Sequence, residues 1–170
     1  LIPTYNEIDS LPSALDRVRS AAVQAHILVI DDNSPDGTGA LADARAQSDD
    51  HIHVLHRTEK NGLGPAYLAG FKWALENDFE LIIEMDADGS HRAEDLALLI
   101  QRAEMADKPD LVIGSRWISG GATQGWSQKR VLLSRAGNVY INLALGLNVR
   151  DATAGFRVYR ADLLRRMDLN

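Results

Sequence analysis

The chain has 170 residues, 45% of them apolar and 25% charged, which is the balance of a soluble globular protein with one sizeable core. That excludes a disordered chain; no apolar stretch approaches the ~18 residues of a spanning helix, and the absence of cysteine excludes thiol catalysis, thiolate zinc and disulfides while remaining compatible with a reducing compartment. A net charge of −6 disfavours a general nucleic-acid binder, so no nucleic-acid partner is expected.

In chain order, Leu1-Ile2-Pro3 reads as the end of a strand, with a few residues expected ahead of it. Ser10 is placed to cap a helix with the apolar stripe Leu11, Leu15 and Val18, in which Pro12 falls in the tolerated first turn. Apolar runs at 26–31, 51–56, 80–86 and 110–115 suit strands covered on both faces, as in a parallel sheet. Leu41 and Ala44 mark a weak helix after Gly39. Phe71, Ala74 and Leu75 continue a second, and Leu96, Leu99, Ile100 and Ala103 a third. The glycine-rich stretch 120–125 is the best candidate for a mobile loop, and a long helical pattern follows over 129–145. With no repeat or linker, this predicts one α/β domain over 1–170, an open and mostly parallel sheet flanked by helices.

The charges are unevenly spread. Residues 1–114 hold nine bases and twenty-one acids, residues 115–170 nine and three. Between Ser115 and Arg150 stand Arg116, Lys129, Arg130, Arg135 and Arg150, with no acid. An acidic front and a basic back suit a ligand with both a metal ion and phosphates; two solvated faces are the plainer alternative.

Ligands of open α/β sheets sit outside the carboxyl ends of the strands. Three polar clusters fall there: Thr4-Tyr5-Asn6-Glu7, Asp31-Asp32-Asn33-Ser34 and Asp86-Ala87-Asp88. Asp86 and Asp88 can face one hard divalent ion, of the kind held by one or two carboxylates plus substrate phosphates. An EF-hand is excluded, because counting from Asp86 glycine stands fourth (Gly89) and alanine twelfth (Ala97). The remaining alternative is a turn whose aspartates cap the next helix, which Ser90, Glu94 and Asp95 would begin. Asp31-Asp32 suits a base or ribose, whereas Pro35-Asp36-Gly37 is turn chemistry. No Gly-x-Gly-x-x-Gly follows the first strand, Gly62-Leu63-Gly64 lacks the third glycine, and a P-loop and a Gly-x-Ser-x-Gly elbow are absent. Hydride transfer and serine hydrolysis drop out. Arg116 and Arg130 offer planar forks to phosphate and can stabilise charge on a departing diphosphate. The histidines show no ligand spacing; His51, His53 and His56 read as strand or exposed residues. Trp117 and Trp126 suit either stacking on a sugar or lipid, or plain packing.

The ordered set Pro3-Thr4-Tyr5-Asn6-Glu7, Asp31 through Thr38, Lys60-Asn61-Gly62-Leu63-Gly64, Met85-Asp86-Ala87-Asp88, Gly114-Ser115-Arg116, Ser134-Arg135 and Asp151-Ala152-Thr153-Ala154-Gly155-Phe156-Arg157 resembles the family-2 glycosyltransferases of GT-A (Rossmann-like) fold over almost the whole chain. A lone Asp-x-Asp is weak; the ordered set is specific. Within that family the chain is similar to the branch that transfers mannose from GDP-mannose to a polyprenyl (dolichyl) monophosphate with inversion. The resemblance implies that Pro3, Tyr5, Glu7, Ile30 and Asp32 contact the guanosine part. It places Asp86, Ala87 and Asp88 at the nucleotide sugar, with Asp86 and Asp88 on Mg2+ or Mn2+. Asp88, Arg116 and Arg130 would be catalytic, the arginines holding phosphate. Arg130, Arg135, Asp151 and Arg157 would face the acceptor. Some relatives carry glutamine, a third metal ligand, where Ser90 stands; serine is shorter, and water is expected in its place.

A phosphate monoester, with its second pKa near about 6, is already ionised and needs positioning rather than a base. A sugar hydroxyl would need a carboxylate, for which Asp151 is the first candidate. The alternatives are UDP-glucose as donor, a saccharide hydroxyl as acceptor, or a non-catalytic nucleotide-sugar binding module. The implied location is the cytoplasmic face of a membrane, reached through an anchoring partner, an amphipathic surface or residues beyond Asn170.

Overall fold

The computed structural model describes residues 1–121 and 126–169; the centre of the expected glycine loop, 122–125, lies outside the described residues. The N-terminal segment becomes β1 (Ile2–Thr4), and the four apolar runs become β2 (Ile27–Asp31), β3 (Ile52–His56), β4 (Leu81–Glu84) and β5 (Leu111–Ile113). Between them lie α1 (Leu11–Ala21), α2 (Thr38–Ser48), α3 (Leu63–Glu76) and α4 (Leu96–Ala103), the last entered through a 3-10 turn over Ala93–Asp95. After β5 come α5 (Gln128–Leu145), β6 (Arg157–Arg160) and α6 (Ala161–Arg166).

β1, β2 and β3 pair in parallel, with Ile2 opposite Val29 and Ile27 opposite Ile52. β6 lies between β4 and β5 and runs antiparallel to both, with Val158 opposite Ile83 and Val112. Two backbone hydrogen bonds join these halves: Leu1 N donates to Ile83 O at 2.6 Å, and Met85 N to Leu1 O at 3.1 Å. The strand order across the seam is therefore β3-β2-β1-β4-β6-β5.

β2 is buried along its whole length, and its side chains alternate between two layers. Ile27 and Val29 belong with Leu11 and Leu15 of α1 and Leu99 of α4. Leu28 and Ile30 point the other way, with Ala66 of α3. The α1 stripe buries Leu11, Ala14, Leu15 and Val18, one face of a 3.6-residue period. On the opposite layer α6 covers α3, where Leu164 joins Tyr67, Phe71 and Tyr159; the Phe71 and Tyr159 rings meet edge-on with centroids 5.1 Å apart.

Two features depart from the sequence reading, and α5 forms where the helical pattern placed it. The antiparallel β6 was not expected, because Arg157-Val158-Tyr159-Arg160 has no continuous apolar run. Ser10 begins α1 without a side-chain cap; its hydroxyl donates to the Glu7 carboxylate instead. None of the α5 side chains is buried. That helix is tied down by two asparagines: Asn138 bonds Arg150 O and Ala152 N, and Asn142 bonds both backbone groups of Val149, all within 3.0 Å. Its end is a left-handed Gly146, φ +62°. Among the described residues no helix is long and apolar enough to cross a membrane.

Leu164 is fully buried where α6 meets α3. Leu164→Ala is expected to lower unfolding free energy by about 2–5 kcal/mol, read from the urea midpoint at unchanged slope.

Candidate active site

The carboxyl ends of β1, β2 and β4 meet along one edge of the sheet, around a cleft of about 260 Å3. Pro3, Tyr5 and Glu7 line it from β1 and the turn beyond, Asp32 from the end of β2, and Asp86, Ala87 and Asp88 from the loop after β4. Ile30 does not line it. Its side chain is fully buried in the α3 layer, so the expected contact with guanosine is corrected to support from beneath.

The loops after β1 and β2 are laced together. Asn6 N donates to Ser34 Oγ (3.1 Å), Glu7 N to Thr38 Oγ1 (2.9 Å) and Ile8 N to Asp36 Oδ2 (3.2 Å). Bonds to Asp36, chiefly from the Thr38 hydroxyl, hold its carboxyl below the usual range. The paired aspartates divide their work. Asp31 is structural, accepting from Thr4 Oγ1, Ser34 N and Ser34 Oγ at 2.5–3.3 Å. Asp32 faces the cleft, and Arg57 Nη1 meets its Oδ1 at 2.6 Å. Lys60, also on the cleft wall, holds its ammonium 3.8 Å from the Tyr5 ring centroid. Sequence reasoning passed over Arg57 and assigned Lys60 no role, although Arg57 directly follows β3 and the strand-end rule applies to it equally.

The loop after β4 closes on itself. Asp86 N donates to His91 Nδ1 (2.9 Å) and Ser90 N to Asp88 Oδ1 (2.8 Å), while Gly89 takes φ +77°. The Tyr67 hydroxyl donates to Asp86 Oδ1 at 3.4 Å. Burial would raise the Asp88 pKa, but the Ser90 bonds, His91 and Arg130 outweigh it and keep the carboxyl below its ordinary value. Burial also lowers the His91 pKa, against the pull of Asp86 and Asp88. Under this loop, burial raises the Glu84 pKa, opposed by Arg157 and by the Tyr159 hydroxyl at 3.1 Å.

The donor set fits a hard cation. Of the four carboxylates that line the cleft, Asp86 and Asp88 stand on one loop, and among the described residues no cluster of three His, Cys, Asp or Glu side chains could hold an ion alone. Asp86 and Asp88 would leave positions for substrate oxygens and water, the manner in which Mg2+ is held. Ser90 gives its N–H to Asp88 Oδ1.

Past β5 the basic third gathers. Asp151 is fully buried and takes three bonds from Arg116, from N (2.9 Å), Nε (2.8 Å) and Nη2 (2.7 Å), while Nη2 also reaches Thr153 Oγ1 (2.8 Å). Burial would raise the Asp151 pKa, but Arg116 outweighs it and the carboxyl stays below its usual range. A buried, fully engaged carboxylate cannot take a proton from an acceptor, so Asp151 is corrected from candidate base to the anchor of Arg116. Arg157 is likewise spent, on Tyr159 Oη (3.2 Å) and Ala152 O (3.0 Å), rather than offered to an acceptor. Trp126 carries both Arg116 and Arg130 on its ring, centroids 4.8 and 4.0 Å away. Arg116 lines two further cavities. One of about 460 Å3 includes His91, Trp126 and Phe156; the other, about 660 Å3, includes Trp117, Arg135 and Arg150.

A family model described as glycosyl transferase family 2 matches residues 1–168. The chain belongs to that family. Its curated relatives include the undecaprenyl-phosphate mannosyltransferase of Micrococcus luteus, 54% identical over all of this chain and 69% of that protein. Another is the polyprenol monophosphomannose synthase of Mycolicibacterium smegmatis, 50% identical over all of this chain and 64% of that protein. The chain thus spans about two thirds of the length of these relatives. Among solved structures, a mannosyltransferase from Pyrobaculum calidifontis in complex with GDP-Man and Mn2+ superposes with TM-score 0.64 at 20% identity, over 97% of this chain and 44% of that one. Glucosyl-3-phosphoglycerate synthase from Mycobacterium tuberculosis gives 0.70 at 17%, over 96% and 56%. These likenesses establish the GT-A fold.

In this family-2 domain the Asp151–Arg116 pair is buried on the carboxylate side. Asp151→Asn leaves the Arg116 charge without its partner and is expected to cost about 3–5 kcal/mol. Because the folded-state pKa of Asp151 is depressed, the pair contributes fully above about pH 4 and is lost as pH falls through the lowered value. Unfolding curves against pH should therefore show a shallower acid limb in the variant than in the parent.

Proposed function

We propose that residues 1–170 form one catalytic domain of a metal-dependent inverting enzyme that transfers mannose from GDP-mannose to a polyprenyl (dolichyl) monophosphate. The observation that carries the reading is the sharing of one cleft by Asp32 and the paired carboxylates Asp86 and Asp88, with a guanidinium cluster beside it. The names of the relatives that match the entire chain support mannose transfer and a polyprenyl phosphate acceptor.

In this reading Pro3, Tyr5, Glu7 and Asp32 hold the guanosine, and Asp86 and Asp88 face the diphosphate. Mg2+ or Mn2+ held by those carboxylates would supply Lewis-acid compensation for the departing diphosphate. An oxygen of the acceptor phosphate bonds to the anomeric carbon as the bond from that carbon to the GDP oxygen breaks, and GDP leaves with the electron pair. No proton has to move, since the acceptor is already ionised. Arg130 and Arg135 balance the acceptor charge, and Arg116, fixed by Asp151, supplies positive charge between the two basic cavities.

The lipid acceptor puts the domain at a membrane, and we assign the cytoplasmic face. Exposed Leu132, Leu133, Tyr140 and Leu143 on α5 support that side as the one near lipid. Anchoring by a partner subunit or by another part of the protein completes the proposal.

Incubation with labelled GDP-mannose, Mn2+ or Mg2+ and polyprenyl phosphate is expected to give a lipid-linked mannose. Transfer from UDP-glucose alone would move the enzyme to another donor; donor binding with neither transfer nor donor hydrolysis would make it a binding module. Asp88→Ala should lower turnover by about 100-fold or more with an unchanged circular dichroism spectrum. Full activity in that variant would remove the metal assignment.

A further inference from the structure

Among the described residues His91 is the one histidine that touches the carboxylate loop, and the mechanism above gives it no role. Its ring is largely buried, with 14% of the side chain exposed. Nδ1 accepts the backbone N–H of Asp86 at 2.9 Å, so the neutral ring carries its proton on Nε2. Nε2 lies 3.7 Å from Asp86 Oδ2. One imidazole thus addresses both the backbone and the carboxylate of Asp86 and closes the loop that also carries Asp88.

The ring is itself held from the far side. It stacks on Phe156 with centroids 5.2 Å apart and planes 16° from parallel. Gly155 packs on its edge, where an added Cβ would stand 3.3 Å from Cε1 and 3.9 Å from Asp86 Oδ2. The segment 151–156 that anchors Arg116 therefore also fixes His91.

We propose that His91 is a positioning residue for the cation site. It fixes the direction in which Asp86 leaves β4, and it transmits the placement of the 151–156 segment to the carboxylates. This rests on the reading of Asp86 and Asp88 as cation ligands. Partners that orient a first ligand typically change metal affinity by about 10–100-fold when removed. An asparagine at the same position can offer its Oδ1 where Nδ1 stands, keeping the bond to Asp86 N–H.

The test is Mn2+ binding to the intact protein with GDP present, followed by the electron paramagnetic resonance signal of free Mn2+. His91→Ala should weaken Mn2+ binding about 10-fold or more, and His91→Asn should recover most of it. Leu164→Ala, destabilised at a distance, should bind like the parent and so separates positioning from lost stability. If the parent binds Mn2+ and His91→Ala binds within twofold of it, the proposal is overturned. Equal impairment of both His91 variants also overturns it, because ring stacking rather than the Asp86 bond would then be what matters. A parent that binds no Mn2+ removes the metal reading itself, and this proposal with it.

Discussion

Two backbone hydrogen bonds hold the site together before any side chain contributes. The pair between Leu1 and β4 joins a parallel half-sheet to an antiparallel one. Asp32 belongs to the first half and Asp86 and Asp88 to the second, yet they line one cleft. Moving the register of β1 by one residue against either neighbour would turn its side chains to the opposite face and separate the walls. The burial of β2 on both faces secures that register, because Ile27 and Val29 fill one layer while Leu28 and Ile30 fill the other.

On this frame the charges are sorted by what they face. Asp31 and Asp151 are buried and fully bonded, and they shape loops. Asp32, Asp86 and Asp88 border the cleft, where a ligand can reach them. The arginines follow the same division. Arg116 and Arg157 are spent largely within the protein, whereas Arg130 and Arg135 are exposed and stacked on tryptophans, a placement that keeps a guanidinium charged and directed. The groups that a ligand can reach stand at the border of the core, and like groups one step further in hold the loops in place.

Much of this was legible in the residues. Continuous apolar runs located four strands, because strands covered on both faces need apolar side chains at every position, and Leu1-Ile2-Pro3 marked the end of the first. The strand-end rule then picked out the clusters Thr4–Glu7, Asp31–Ser34 and Asp86–Asp88, from which Thr4, Tyr5, Glu7, Asp32, Asp86, Ala87 and Asp88 line one cavity; Pro3, which also lines it, came from the family resemblance. β6 was illegible because two arginines bound a pair of buried residues, Val158 and Tyr159, and the charges of Arg157 and Arg160 are absorbed by bonds to Tyr159 Oη and Ala103 O. Ile30 was misplaced because alternation along a strand decides which face a side chain takes, and resemblance alone does not count faces. Asp151 was read as a possible base because spacing says nothing of burial. His91 was passed over because its partners, Asp86 N and Phe156, are brought to it only by the fold.

The central claim is that the Asp86 and Asp88 carboxylates and the nucleotide wall act on one bound molecule. A crystal structure with GDP and Mn2+ tests it most directly. The ion is expected between oxygens of Asp86, Asp88 and the diphosphate, with the guanosine against Tyr5 and Asp32. A nucleotide bound elsewhere, with Asp88 still turned to Ser90 and no ion beside it, would contradict the account.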